Sequence, residues 1–138
     1  MILMKTVIMA IAVIKKENHI LLRKFDPARN PYKEPWGLFG GRLEGNGTVV
    51  ELLNKELSAR WDMTVSISER LSWDEDQKLD HDGDEKRFIY LDALCELSTG
   101  TPSPVNPNEE LKWVAIDDLK DYDHVPPGIT LFKKLGYL

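Results

Sequence analysis

The sequence predicts an α/β sandwich built on a mixed β-sheet. Three observations point there. Strand-like apolar segments lie on both sides of one amphipathic helix. They do not alternate with helices in a regular βαβ rhythm. The leading segment is apolar on both faces, as a strand covered from two sides is. The chain has 138 residues, 42% of them hydrophobic, and is expected to form a single domain over 1–138 with a core that needs no disulfides.

Taken in order, Thr6–Lys15 is rich in β-branched residues and suits a central strand. The whole stretch Met1–Ile14 lacks the basic start and small-residue cleavage site of a signal peptide, so it reads as a leading strand. Lys16-Glu17-Asn18 gives a turn, and His19–Lys24 returns as a second strand. Phe25–Pro35 holds Pro27, Pro31 and Pro35 and reads as a loop, with Trp36–Phe39 a short strand ending at Gly40-Gly41. Thr48 and Glu51 have the spacing of a capping box and open a helix over 48–61. Thr64–Trp73 reads as a strand, Asp74–Lys86 as an acidic loop and Arg87–Leu97 as a strong strand. Ser98–Asn108 is a Pro-rich loop, Leu111–Ile116 a short strand, and Pro126–Leu135 a closing helix with proline at its start and Gly136 after its end.

Composition excludes several classes. Net charge is −5, and Asp74–Lys86 alone, with seven acids and two lysines, accounts for all of it. No basic stripe is present, so no nucleic-acid partner is expected. The longest apolar run, Val7–Ile14, is too short for a bilayer, and no membrane partner is expected. Cys95 is alone, which fits a reducing, cytoplasmic setting and a buried thiol. His19, His81 and His124 show no metal-ligand spacing. Asp80-His81-Asp82-Gly83-Asp84 has the look of a calcium loop but lacks its distal bidentate glutamate, and reads as a solvated charged loop.

The stretch Gly40–Met63 carries the chemistry. On a helical wheel Val49, Val50, Leu52, Leu53, Leu57 and Trp61 fall in an arc of about 180° that also contains Glu56, with Arg60 about 40° from it. Two charges on an inward face need a partner or a use. One reading is a structural Glu56–Arg60 pair, acid first at i, i+4. The other takes Gly40 and Gly41, close to the helix N-terminus, as a place where a phosphate can approach backbone.

Trp36–Gly45, read WGLFGGRLEG, followed by Lys55-Glu56-Leu57 in a helix, resembles the Nudix (MutT-like) pyrophosphohydrolase family. The resemblance extends to the Trp113 strand and the Asp121–Pro127 segment. It implies a Nudix-type α/β/α sandwich and hydrolysis of a nucleoside diphosphate linked to another group, assisted by Mg²⁺ or Mn²⁺. Aligned on Gly41, the box G-x5-E-x7-R-E-U-x-E-E-x-G-U is degenerate. Gly47 stands for its first glutamate, Lys55 for the arginine, Ala59 and Arg60 for the last two glutamates and Asp62 for the glycine, while Glu56, Leu57 and Met63 match. The resemblance implies catalytic roles for Glu56 and Glu44, and metal ligation by Glu56 and Glu44 with Glu109 and Glu110 as additional carboxylates. Phosphate binding is expected at Gly40, Gly41 and Arg42, with Arg60 as a direct grip in place of the metal. Lys55 is expected to pair with Glu51 at i−4.

Three readings follow. One is a hydrolase of weak or altered activity. A second is an inactive protein that binds a nucleotide or ADP-ribose-like molecule, with Arg60 gripping phosphate in place of metal. The third is a degenerate interaction domain, forming a homodimer or partner contact through the former cleft. A nucleotide-type small molecule is the expected partner of the first two. Tyr90 and Trp73 are candidates to stack on its base.

Overall fold

The computed structural model describes residues 3–138, so Met1 and Ile2 of the leading apolar stretch lie outside the described residues. Seven strands form one mixed sheet: β1 (Thr6–Lys16), β2 (His19–Lys24), β3 (Trp36–Gly37), β4 (Phe39–Arg42), β5 (Met63–Leu79), β6 (Glu85–Gly100) and β7 (Glu110–Ala115). The main path runs β3-β2-β1-β6-β5, with β4 also on β1 and β7 also on β2. Among these strands of the described residues, β1 and β6 run parallel and the other pairings are antiparallel.

Strand β1 explains the architecture. It pairs with β6 from Thr6 to Ile14, with β4 from Met9 to Ala12, and with β2 only at Lys15 and Lys16. Its two faces feed two cores. Ala10, Ala12 and Ile14 pack with Leu53, Leu57 and Trp61 of helix α1 (Val49–Trp61). Val13 packs with Leu131 and Phe132 of helix α2 (Pro126–Lys134), together with Leu119 from the 3₁₀ turn Ile116–Asp121. That is the α/β/α arrangement the sequence implied, and it accounts for a first strand with no polar face. His124 is buried in the second core, with its Nε2 2.6 Å from the Leu119 carbonyl and its ring edge-on to Phe132, a structural placement.

Strand β6 takes Ser98–Gly100 from the expected loop Ser98–Asn108, and two further boundaries differ from the sequence reading. The strand expected at Trp36–Phe39 is two strands, β3 on β2 and β4 on β1, with Leu38 between them. Gly40 and Gly41 therefore sit inside a strand, opposite Ile11 and Ala10. The expected acidic loop Asp74–Lys86 is a hairpin: Asp74–Leu79 extends β5, Glu85 and Lys86 begin β6, and only Asp80–Asp84 turns. Alternation was present there, but it separates charged groups by partner rather than polar from apolar. Asp74 meets Lys134, Lys78 meets Tyr32, and Asp80 meets Arg42 and Lys86, while Glu75, Gln77 and Leu79 between them face outward. The faint calcium-loop segment is thereby the tied tip of a hairpin.

Helix α1 begins where expected. The Glu51 N–H donates to Thr48 Oγ1 at 3.3 Å and the Thr48 N–H donates to Glu51 Oε1 at 3.1 Å, completing the capping box. The Glu51 carboxylate is thus used as a cap, and no Glu51–Lys55 ion pair forms among the described residues. The helix ends at Asp62, which holds the left-handed conformation (φ 53, ψ 42) that glycine takes without strain. Asp62→Gly is expected to stabilise the fold by about 0.5–1 kcal/mol, read as a higher urea midpoint at unchanged slope.

Candidate functional site

A continuous cleft opens between β4, the exposed edge of α1, the β5–β6 hairpin and the loop 25–35. Its outer part is about 580 Å³ and its inner part about 410 Å³, and they share Met9, Arg29, Pro31, Gly40, Arg60, Lys78 and His81. What seats α1 against this cleft is the absence of a side chain at Gly41: a Cβ there would lie 2.8 Å from Glu56 Cβ. Gly40 is equally constrained, since a Cβ would lie 2.7 Å from the Ala10 carbonyl oxygen. The expectation that these glycines admit phosphate is refined by that packing. Both line the outer cleft, but their size is set by the helix and by β1. The N-terminus of α1 is not in the cleft. Its first turn is closed by its own capping box, and Thr48 and Val49 open onto a different surface.

The four carboxylates expected to act together do not gather. Glu44 and Glu56 line the outer cleft. Glu56 Oε1 is 3.4 Å from Arg60 Nη1, a half-exposed i, i+4 pair of small worth. Glu109 is buried in the inner part of the cleft and committed to other partners: Arg23 Nη1 donates to its Oε2 at 2.9 Å and Trp61 Nε1 lies 3.3 Å from its Oε1. Glu110 is exposed on β7 and lines neither part of the cleft. Among the described residues no group of three His, Cys, Asp or Glu side chains is close enough to share a cation. Hard divalent ions need several oxygens, and one of the two carboxylates present faces a guanidinium. These residues do not fit a protein-held Mg²⁺ or Mn²⁺.

Cations dominate instead. Arg29, Arg42, Lys55, Arg60 and Lys78 line the outer cleft against Glu44, Glu56 and Asp80. Asp80 is already committed. It is buried, accepts from Arg42 and from Lys86 Nζ at 2.8 Å, and these partners hold its carboxyl far below the usual carboxylate range. Lys55 and Arg29 form no ion pair among the described residues. Of these cations, Arg42 and Arg60 were expected at the site. Arg29 and Lys78 were not, because each lies in a segment whose local pattern says only loop.

The inner cleft is organised by Arg23. Its guanidinium donates from Nε to the Leu38 carbonyl at 3.2 Å, pairs with Glu109, and stacks 4.2 Å over Phe25 and 4.8 Å over Trp61. Burial brings its pKa down to about 10 despite Glu109. Asp26, buried in the loop, accepts from the Ala28 N–H at 3.0 Å and from Asn106 Nδ2 at 3.0 Å, tying loop 25–35 to loop 98–108. Tyr90 and Asp92 reach the cleft from β6. Burial raises both, and Asp92, with Asp74 beside it, is pushed up to about 8. A period-two reading of Phe88, Tyr90 and Asp92 on one face would have marked Asp92 as inward. Trp73 lines neither part of the cleft and is 63% exposed, so it is no stacking platform there.

No family model matches the chain. It is 26% identical over 129 residues to the nucleoside triphosphatase NudI of Klebsiella pneumoniae (strain 342), covering 88% of this chain and 92% of that protein. Among solved structures it is similar to a MutT protein from Methanosarcina mazei Go1, with TM-score 0.74 at 17% identity over 98% of this chain and 95% of that one. It is also similar to a NUDIX hydrolase from Nitrosomonas europaea, with TM-score 0.71 at 14% identity over 96% and 89%. The fold is that of the Nudix hydrolases, and the resemblance read from WGLFGG and the following helix holds.

Removing Glu109 strands a buried guanidinium, so Glu109→Ala should destabilise by roughly 3–5 kcal/mol in chemical denaturation. Asp92 contributes the opposite way with pH. Its native carboxyl keeps a proton that the unfolded chain loses near 4, so stability falls as pH rises from about 4 to 8. Asp92→Asn should remove that fall, with a melting temperature a few degrees above the parent at pH 8 and a smaller difference at pH 5.

Proposed function

We propose that this Nudix-fold chain binds the phosphate groups of a nucleotide-type small molecule in the outer cleft through cationic side chains rather than a protein-held metal, with turnover weak or absent. The observation that carries this reading is the face of α1 that lines the cleft. Arg60 takes the place of a glutamate of the box, Lys55 that of its arginine, and Arg29, Arg42 and Lys78 line the same space. Guanidinium groups bind phosphate oxygens in pairs and an ammonium adds a point charge. Each replaces part of the charge that a divalent ion would otherwise bring. The nucleotide class is supported by the likeness to a protein named as a nucleoside triphosphatase.

A second reading, a hydrolase of altered activity, is favoured by Glu44 and Glu56 lining the same cleft as those cations. The two readings separate in one experiment. Pyrophosphate and nucleoside di- and triphosphates are titrated calorimetrically with EDTA present, then assayed for phosphate release with Mg²⁺ or Mn²⁺. Binding without divalent ions is expected, weakening with salt and falling about tenfold in Lys55→Ala and again in Arg60→Ala. Binding that requires added metal, or that ignores both substitutions, would overturn the proposal. Phosphate release abolished by Glu56→Gln would establish the hydrolase instead.

A further inference from the structure

The sheet ends at β5, and the outer edge of that strand pairs with no other strand among the described residues. Natural sheets blunt such edges with bulges, charges or a covering element. Strand β5 has these devices mainly in its first part. Register shifts fall between Thr64 and Val65, Ile67 and Glu69, and Arg70 and Trp73. The side chain of Asn54 on α1 closes the edge at Val65, accepting from its N–H at 2.8 Å and donating to its carbonyl at 2.9 Å. Over residues 73–79 the ladder is regular, each residue facing one of residues 85–91 on β6. Helix α1 has 13 residues and spans about 20 Å, whereas the 17 residues of β5 span about 55 Å, so the helix leaves this end of the strand open. On the open face stand Trp73, 63% exposed, and Leu79, 66% exposed, the most exposed large apolar side chains of the described strands. They lie six residues apart, so both point to one side.

We propose that the edge formed by residues 73–79 of β5 pairs antiparallel with the same edge of a second copy of this chain, about a two-fold axis at Asp76. The occupant follows from the sequence of the run, WDEDQKL, which complements itself in that register. Trp73 of each copy falls opposite Leu79 of the other, Asp74 opposite Lys78, and Glu75 opposite Gln77. Opposed side chains across an antiparallel pair are in contact, so both exposed apolar groups gain a cover and each charge at 74 and 78 meets its opposite. The free N–H and C=O groups of the two edges satisfy one another, and the pairing closes at two copies because each uses up its own edge. One feature opposes it: Asp76 meets Asp76 on the axis, and like charges directly opposite are destabilising. The contact is also small beside a standard interface of about 800 Å² per partner. The dimer is therefore weak, with dissociation in the micromolar range or above, and it is strengthened by salt, which screens the central pair. This surface lies outside the cationic side of the cleft, and the inference is independent of phosphate binding there.

The test is sedimentation of the full chain from micromolar to millimolar concentration, at low salt and at about 0.5 M salt. A monomer–dimer equilibrium is expected, shifted toward dimer by salt. Trp73→Ser and Leu79→Ser should each weaken it tenfold or more while leaving the melting temperature of the monomer unchanged, since both side chains are exposed. Asp76→Asn should strengthen it several-fold. Opposed residues of an antiparallel pair lie about 4.5–5.5 Å apart at Cα, within disulfide reach, so Asp76→Cys should crosslink the dimer on oxidation and Glu69→Cys, outside the paired run, should not. A chain that stays monomeric at every concentration overturns the proposal. So does a dimer indifferent to both Trp73→Ser and Leu79→Ser, or one that crosslinks through Glu69→Cys and not through Asp76→Cys.

Discussion

The contact between β4 and α1 at Gly41 fixes the rest of the site. With no Cβ in the way, the helix lies close enough for Glu56 to rest on the strand, and that depth sets the rotation of everything after it. Leu53, Leu57 and Trp61 then fill the core beneath, while Lys55, Glu56 and Arg60 emerge along the cleft. The same seating brings Trp61 edge-on to Phe39 at 4.9 Å and exposes its ring to Arg23 and Arg60. One glycine thus positions the core, the box face of the helix and the partition between the outer and inner cleft.

The charges on that face run opposite to those of the box that the sequence resembles. Where several carboxylates would concentrate a cation, the surface facing the cleft is now mostly positive, in a chain whose net charge is −5. The acids responsible for the negative total lie largely on the hairpin, and those of them that turn inward are paired with Arg42, Lys86 and Lys134. Net charge and local field point in opposite directions here, and the local field is what a ligand meets at contact distance.

Much of this was legible in the sequence because it is local. The capping box needs only Thr48 and Glu51, the buried face of α1 needs only its 3.6-residue period, and the doubly covered first strand announces itself by having no polar side. What was not legible depends on partners far along the chain. Glu109 is a buried counter-ion because Arg23 lies 86 positions away, and nothing near Glu109 in sequence says so. The acidic stretch folds as a hairpin because Arg42, Tyr32 and Lys134 take its inward groups, although charge density read alone suggests a solvated loop. Lys55 was assigned to Glu51 by spacing, and the cap claimed that carboxylate first.

The knot at the hairpin tip has a further meaning for the cleft. Arg42, a wall of the outer cleft, is already gripped by Asp80, a carboxylate carried by the same chain and held ionised by Lys86 as well. A phosphate reaching for Arg42 must displace that carboxylate or share the guanidinium with it. On the proposed phosphate reading, the protein carries its own competing anion, and the affinity of the cleft would be a difference between an external and an internal ligand. Any change that loosens the hairpin tip would alter that difference, so the tip acts as a counterweight to the cations of the helix across the outer cleft.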